Sequence, residues 1–238
     1  MRTPYGLQIL DSCLTCELRE KRLFCNLSPG AVKDLEAIRS TASYPAGAVL
    51  YVEGQNPRGV FVLCQGRAKL TASSAEGKTL ILKIVEPGEV LGLSSTVSGK
   101  PYEASVELLE PTQVNFIRRD EFLNFLRKHG DAALRVAQQL SQNYHTAYQE
   151  IRTLGLSQSA SEKLARLLLE WSSNDNSRRP GQKVKVTLTH EEIAQMIGTS
   201  RETVTRAFAD LKKRRFIEVR GATVTIRDRS ALESLVGA

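Results

Sequence analysis

Two groups of residues have the types and spacings that chemistry requires. The first is the thiol series Cys13-x2-Cys16-x8-Cys25, three soft ligands within 13 residues. Clustered thiols in a chain without an export signal point to metal or redox chemistry more than to structural cross-links. Three readings are open. A [4Fe–4S] cluster takes four thiolates. Zinc accepts CxxC as half of a four-ligand site. A dithiol switch needs only two of the cysteines. Both metal readings need a fourth ligand. Cys64, in VFVLCQG, either supplies it or is a small buried apolar residue. His129, His145 and His190 each stand alone on helical stretches and read as surface residues rather than ligands.

The second group is Arg201, Glu202 and Arg206, within S-R-E-T-V-T-R. On a helix whose apolar face is Val204, Phe208 and Leu211, all three point outward. Arginine can pair in bidentate fashion with guanine O6 and N7, and a glutamate can accept from cytosine N4. A carboxylate among phosphates is repelled unless it reads a base, so Glu202 beside Arg201 is informative. Thr189, Ser200, Thr203 and Lys212 offer hydroxyl or ammonium groups for phosphate contacts, which position a protein without specifying sequence. The plain alternative is a solvated face of i,i+4 charge pairs.

The surrounding elements favour base reading. Val184 and Val186 alternate as in a short strand. Thr189 and Glu192 form a capping box ahead of a helix burying Ile193, Met196 and Ile197. Ala194 is small where a second helix approaches, Gly198 makes the turn, and Ser200 caps the next helix. FIEV, Arg220-Gly221 and TVTI then form a tight hairpin. Helix, turn, helix and hairpin compose a winged helix-turn-helix, which sets the start of its second helix against base edges in the major groove.

Upstream, residues 29–40 predict a short helix on Val32, Leu35 and Ile38. From 44 to 118, short β-branched runs alternate with Gly47, Gly54, Gly66, Gly77, Gly88 and Gly99, the pattern of an antiparallel roll or barrel. Phe122, Phe125 and Leu126 mark a return to helix. A long helix over about 131–154 carries Ala133, Ala137, Leu140, Tyr144, Ala147, Ile151 and Leu154 at alternating steps of four and three. That heptad seam packs along a second copy of the chain or, alternatively, on its own domain. A further helix over 160–173 has Leu164, Leu167, Leu168 and Trp171 as its core stripe, and 172–182 is a polar loop. The expected class is α+β. A cysteine segment (1–28) precedes an antiparallel β-roll (29–130), a dimerisation helix (131–156) and a winged helix-turn-helix domain (157–238).

The bulk properties agree. With 238 residues, 41% hydrophobic and 25% charged, the chain can bury a core without staples, and its net charge of +7 suits an anionic partner. No 18-residue apolar run and no signal-like start appear, so neither membrane nor export is expected, and a cytoplasmic location follows. No nucleophile–base pair, phosphate loop, dinucleotide-binding glycine string or metal-hydrolase motif points to an enzyme.

The order of roll, long helix and winged helix, with T-H-E-E-I-A-Q-M-I-G-T-S-R-E-T-V-T-R, resembles the CRP/FNR regulators from about Leu27 to the wing. The resemblance implies that Arg201, Glu202 and Arg206 read half-sites close to TGTGA in an inverted repeat of double-stranded DNA. It also implies a homodimer that works with RNA polymerase. Relatives that bind cyclic nucleotides use a Gly-Glu pair for ribose and an Arg-Ser pair for phosphate. Here the corresponding segments are P-G-E-V-L-G-L-S-S, containing Gly92, Leu93 and Ser94, and K-P-Y-E-A-S-V, containing Glu103 and Ala104. Leu93 replaces the ribose-binding glutamate and Glu103-Ala104 replaces Arg-Ser, so a carboxylate repels where a guanidinium would attract. Cyclic nucleotides are therefore not the expected effector, although another small ligand in the roll stays open. The cysteine trio resembles the cluster motif of the oxygen-sensing branch. That branch carries its fourth cysteine on a late roll strand, where this chain has Asn115. A sensor acting mainly through protein partners, with DNA binding secondary, is the competing class.

Overall fold

Alternation along one strand sets the build of the N-terminal half. In the computed structural model, which describes residues 5–20, 22, 24–156, 159–173 and 183–237, β3 (Gly59–Gln65) sends successive side chains to opposite faces. Phe61 and Leu63 enter one apolar core, while Val60 and Val62 enter another. Its sheet is apolar on both sides and forms a middle layer.

That sheet runs β1-β8-β3-β6, with β1 Arg39–Tyr44, β6 Val90–Leu91 and β8 Thr112–Arg118. A second sheet runs β2-β7-β4-β5, with β2 Val49–Tyr51, β4 Ala68–Ser73, β5 Thr79–Val85 and β7 Ser105–Leu108. Every pairing is antiparallel. Tyr51, Phe61, Leu63, Val106, Leu108 and Val114 are among the residues of the core that β3 shares with the second sheet. Val60, Val62 and Ile117 on the other side meet Phe24 and Leu27 of the N-terminal segment, α1 (Pro29–Ile38), α3 (Arg119–Lys128) and the start of α4 (Gly130–Leu156). The expected roll is present. It also has a strand that sequence periodicity missed, β1 over RSTASY, whose exposed polar residues give no alternation. A short helix, α2 (Leu93–Ser98), replaces irregular chain after β6.

The chain divides into two compact units, Met1–His145 and Thr146–Ala238. The second contains α5 (Ala160–Ser173), β9 (Lys183–Lys185), α6 (His190–Ile197), α7 (Arg201–Lys213), β10 (Ile217–Arg220), β11 (Thr223–Ile226) and α8 (Arg229–Leu235). Its core is Leu164, Leu168, Ile193, Val204, Leu211 and Leu232, each fully buried, with further apolar residues around them. The hairpin turn is Gly221-Ala222, one residue later than the expected Arg220-Gly221, because Arg220 pairs with Thr223. Gly221 takes a φ of +56°, which a side chain would strain. The terminal helix α8 had no strong sequence signal.

Candidate functional site

The helix pair forms as its caps dictate. The Thr189 hydroxyl accepts from Glu192 N–H at 3.2 Å, and the Glu192 carboxylate accepts from Thr189 N–H at 2.8 Å. Gly198 ends α6 in the left-handed region and donates to Ala194 O. The Ser200 hydroxyl then accepts from Thr203 N–H at 3.2 Å, starting α7. Val204, Ala207, Phe208 and Leu211 are buried, so Arg201, Glu202, Thr205, Arg206 and Lys212 stand in solvent, with Thr203 half-buried. Arg206 donates to the Thr203 hydroxyl at 3.1 Å. The Glu202 carboxyl is held below the usual range, first by its own N–H and the Ser200 hydroxyl, then by the positive charges of Arg201 and Arg206. It presents an ionised acceptor at the first turn of α7. Thr189, Ser200 and Thr203, expected at phosphates, also serve as caps or their partners.

His190, half-exposed, lies with its ring stacked on Phe208, centroids 5.0 Å apart, and its Nδ1 is 3.0 Å from the Thr205 hydroxyl. It ties α6 to the outer face of α7. His129 is likewise engaged, at 2.7 Å from Asp34.

The four thiols meet in the first unit. Cys13, Cys16, Cys25 and Cys64 are all free and half-buried, and all line one pocket. Phe24, Leu27, Val32, Leu35, Val62 and Ile117 supply much of its apolar wall, and Arg19, Arg39 and Asn115 its polar part. Cys64 is thus neither a wholly buried core thiol nor distant from the trio. Burial pushes the Cys25 and Cys64 thiols up to about 12, reinforced by the neighbouring sulfurs, and raises Cys13 as well. The Arg39 guanidinium acts in the opposite sense on Cys13 and Cys64. Among the described residues, no three His, Cys, Asp or Glu side chains gather closely enough to hold a single metal ion.

Side chains hold the cysteine segment to the roll. Gln113, fully buried, accepts from Leu10 N–H at 2.7 Å and donates to Leu10 O at 2.9 Å. Gln65 donates to Gln8 O at 2.7 Å, Glu36 accepts from Cys13 N–H at 2.5 Å, and Arg39 donates to Asp11 O. None of these anchors was visible in the sequence, because polar residues in short strands and on helix surfaces are ordinarily solvent-facing.

The effector-pocket positions Leu93, Ala104 and Glu103 carry apolar or acidic side chains. Leu93 and Ala104 are buried, while Glu103 is exposed and accepts from the Ser94 hydroxyl at 2.9 Å. A Cβ on Gly92 would meet the Tyr102 ring at 2.7 Å. Tyr102 stacks on Tyr51 with centroids 3.9 Å apart and donates to Gly59 O at 2.8 Å.

The seam of α4 is shifted from the expected register. Ala133 and Leu140 are half-buried, Leu140 against the core of their own unit, alongside the fully enclosed Ala132 and Val136. Ala137, Tyr144, Ala147 and Ile151 are exposed, and the side chain of Leu154 lies outside the described residues. Leu134 and Tyr148, not predicted, complete the open stripe. Leu134, Tyr144, Tyr148 and Ile151 are 60%, 66%, 57% and 68% exposed, far more than apolar residues of a helix packed on its own domain. Among the described residues, no helix is long and apolar enough to cross a membrane.

A two-sheet roll followed by a winged helix-turn-helix with an open, charged second helix defines the class of DNA-binding transcription regulators. Comparison with known proteins agrees. The Crp-like helix-turn-helix domain family matches residues 162–235, and the cyclic nucleotide-binding domain family matches 41–129. The transcriptional regulator SdrP of Thermus thermophilus is 31% identical over 205 residues, covering 83% of this chain and 95% of that protein. The CRP-like cAMP-activated global transcriptional regulator of Mycobacterium tuberculosis is 24% identical over 211 residues, covering 88% and 94%. A solved CRP/FNR-family transcriptional regulator, also of Thermus thermophilus, matches with a TM-score of 0.64 at 25% identity, covering 84% of this chain and 99% of that one. The chain belongs to the CRP/FNR family of transcription regulators.

Proposed function

We propose that the protein is a homodimeric regulator that binds a TGTGA-like inverted repeat and is controlled by redox state or oxygen through its cysteine pocket. RNA polymerase is its partner at the promoter, as the family resemblance implies. The observation that carries the DNA reading is the outward face of α7. Arg201, Glu202 and Arg206 are exposed together at its start, over a buried Val204–Phe208–Leu211 face. The exposed stripe of α4 supports the dimer, since a second copy laid along it would remove four large apolar side chains from water.

The pocket supports the signal. Its donor set fits a [4Fe–4S] cluster, which binds one thiolate per iron and so uses sulfurs spread around a wall. A single zinc would draw its sulfurs to within about 3.8 Å of one another, as tetrahedral bonds of about 2.3 Å require. Cys13, Cys16 and Cys25 would hold the cluster, which would supply sensitivity to oxidation. Arg39 would offset thiolate charge, and the apolar wall would limit access by water. Phe24, Leu27, α1, α3 and the start of α4 share the adjoining core, so a change at the pocket would repack the helix that carries the dimer stripe. In a dimer, that repacking would re-space two copies of α7 over one DNA site. The roll is read as insensitive to cyclic nucleotides. Leu93 and Ala104 lack the required polar groups, Glu103 has the wrong charge, and Tyr102 packs over Gly92.

A gel-shift series with TGTGA-type palindromes tests the DNA reading, and absence of retardation at physiological salt overturns it. Arg201→Ala is expected to weaken binding by ~1–3 kcal/mol and to relax discrimination at one base. An equal loss on all sequences would assign Arg201 to phosphate alone.

A further inference from the structure

The cluster reading leaves a ligand unassigned, because the family's fourth cysteine position is occupied here by Asn115. We propose that Cys64, on the adjoining strand, supplies the fourth thiolate. The inference rests on the cluster reading and adds to it the residue that completes the ligand set.

The β3–β8 ladder explains the placement. Val62 pairs directly with Asn115 and Leu63 with Val114, but the next pair is Gln65 with Gln113. Cys64 is therefore the extra residue of a β-bulge, with no residue opposite it on β8. Bulges bend a strand and re-aim the side chain at the irregularity. By alternation Cys64 belongs to the face of Val62, the face covered by the cysteine segment, and it lines the same pocket as Cys13, Cys16, Cys25 and Asn115. A thiol displaced by one strand still opens onto the same space.

Asn115 has a different task. Its Oδ1 accepts from Arg39 at 3.0 Å and from the Thr41 hydroxyl at 2.7 Å, which holds the guanidinium beside the pocket. Among the described residues, the hydrogen bond of Cys64 is a weak one, from Sγ to Val62 O at 3.7 Å, which leaves its sulfur available. On loading, each of the four thiols releases its proton to solvent as its sulfur binds an iron. The Arg39 side chain, only 10% exposed, partly balances the four negative charges thus formed.

The test is anaerobic reconstitution of the full chain with sulfide and equal amounts of ferric and ferrous iron, which together match the oxidation state of a [4Fe–4S]2+ core. It is read by iron and sulfide content, by electron paramagnetic resonance and by Mössbauer spectroscopy. The wild type is expected to take up about four irons per chain. Cys64→Ser and Cys64→Ala are expected to lose at least one iron, leaving a three-iron signal or none. Far-UV circular dichroism should be unchanged in both. In the double variant Cys64→Ser with Asn115→Cys, the neighbouring strand returns a thiol to the pocket, and four irons are expected again. Four irons with the wild-type spectrum in Cys64→Ser would overturn the assignment of Cys64 while leaving the cluster reading intact. Wild-type protein that takes up no iron would overturn both.

Discussion

At the residue scale, the same thiols that suit a metal are poor nucleophiles without one. With Cys25 and Cys64 pushed up to about 12, roughly one in 10⁴ is a thiolate at pH 8, against about a quarter of free cysteine. The greater intrinsic nucleophilicity of a high-pKa sulfur recovers part of that deficit. Iodoacetamide is therefore expected to modify these two about 10²-fold more slowly than free cysteine in metal-free protein at pH 8, with the rate rising as pH approaches 10. Mass spectrometry of timed digests checks this, and rapid labelling of both at pH 8 would contradict it. The outward placement of Arg201, Glu202 and Arg206 on α7 was legible because charge and apolar spacing on one helix suffice to orient them. The anchors Gln65, Gln113 and Arg39 were not. Their partners lie at backbone atoms far along the chain, and no local pattern records a long-range hydrogen bond to a carbonyl.

At the element scale, the helix pair depends on its caps. Thr189 and Glu192 satisfy each other's backbone donors at the start of α6, and Ile193 behind them is fully buried. Thr189→Ala is expected to destabilise the second unit by about 1 kcal/mol. Its urea unfolding midpoint should fall without a change in slope. The capping box, the Ser200 cap and the wing were legible because each is a short-range pattern of a few residues. Strand β1 and helix α2 were not. Arg39–Tyr44 is held as a strand by its ladder to β8, a tertiary partner that no propensity reports. In α4 the sequence showed a heptad but not its phase. Small residues such as Ala133 and Ala137 fit either face, and only the packing of Ala132 and Val136 into the roll core decides which stripe stays open.

At the scale of the whole molecule, that phase has a measurable consequence. Ile151 lies at the open end of the stripe, 68% exposed in a single chain. In a dimer seam, Ile151→Glu would bury one carboxylate from each copy. Burying even a neutral polar group unpaired costs about 1–3 kcal/mol, and a carboxylate more, so self-association should weaken on the order of 10²-fold or more. Sedimentation equilibrium of the variant reads this directly. Unchanged association would place the dimer contact elsewhere, whereas Ala133→Glu would chiefly disturb the half-buried face. The roll and the winged helix were both legible as classes, since turn spacing and helix periodicity separate them cleanly. The meeting of four thiols was not, because Cys64 lies 39 residues beyond Cys25 and reaches them only through sheet pairing.

The anchoring of the cysteine segment also has an entropic side. Without the contacts from Gln113, Gln65, Glu36 and Arg39, bringing Cys13 to Cys64 would require closing a long flexible loop, and the metal would have to supply that ordering. With the segment docked on the roll, the ordering is completed during folding. The four sulfurs then face the pocket at high effective concentration. Were the proposed cluster bound there, its loading would be a local event among neighbours already in place, and its loss would leave the scaffold standing.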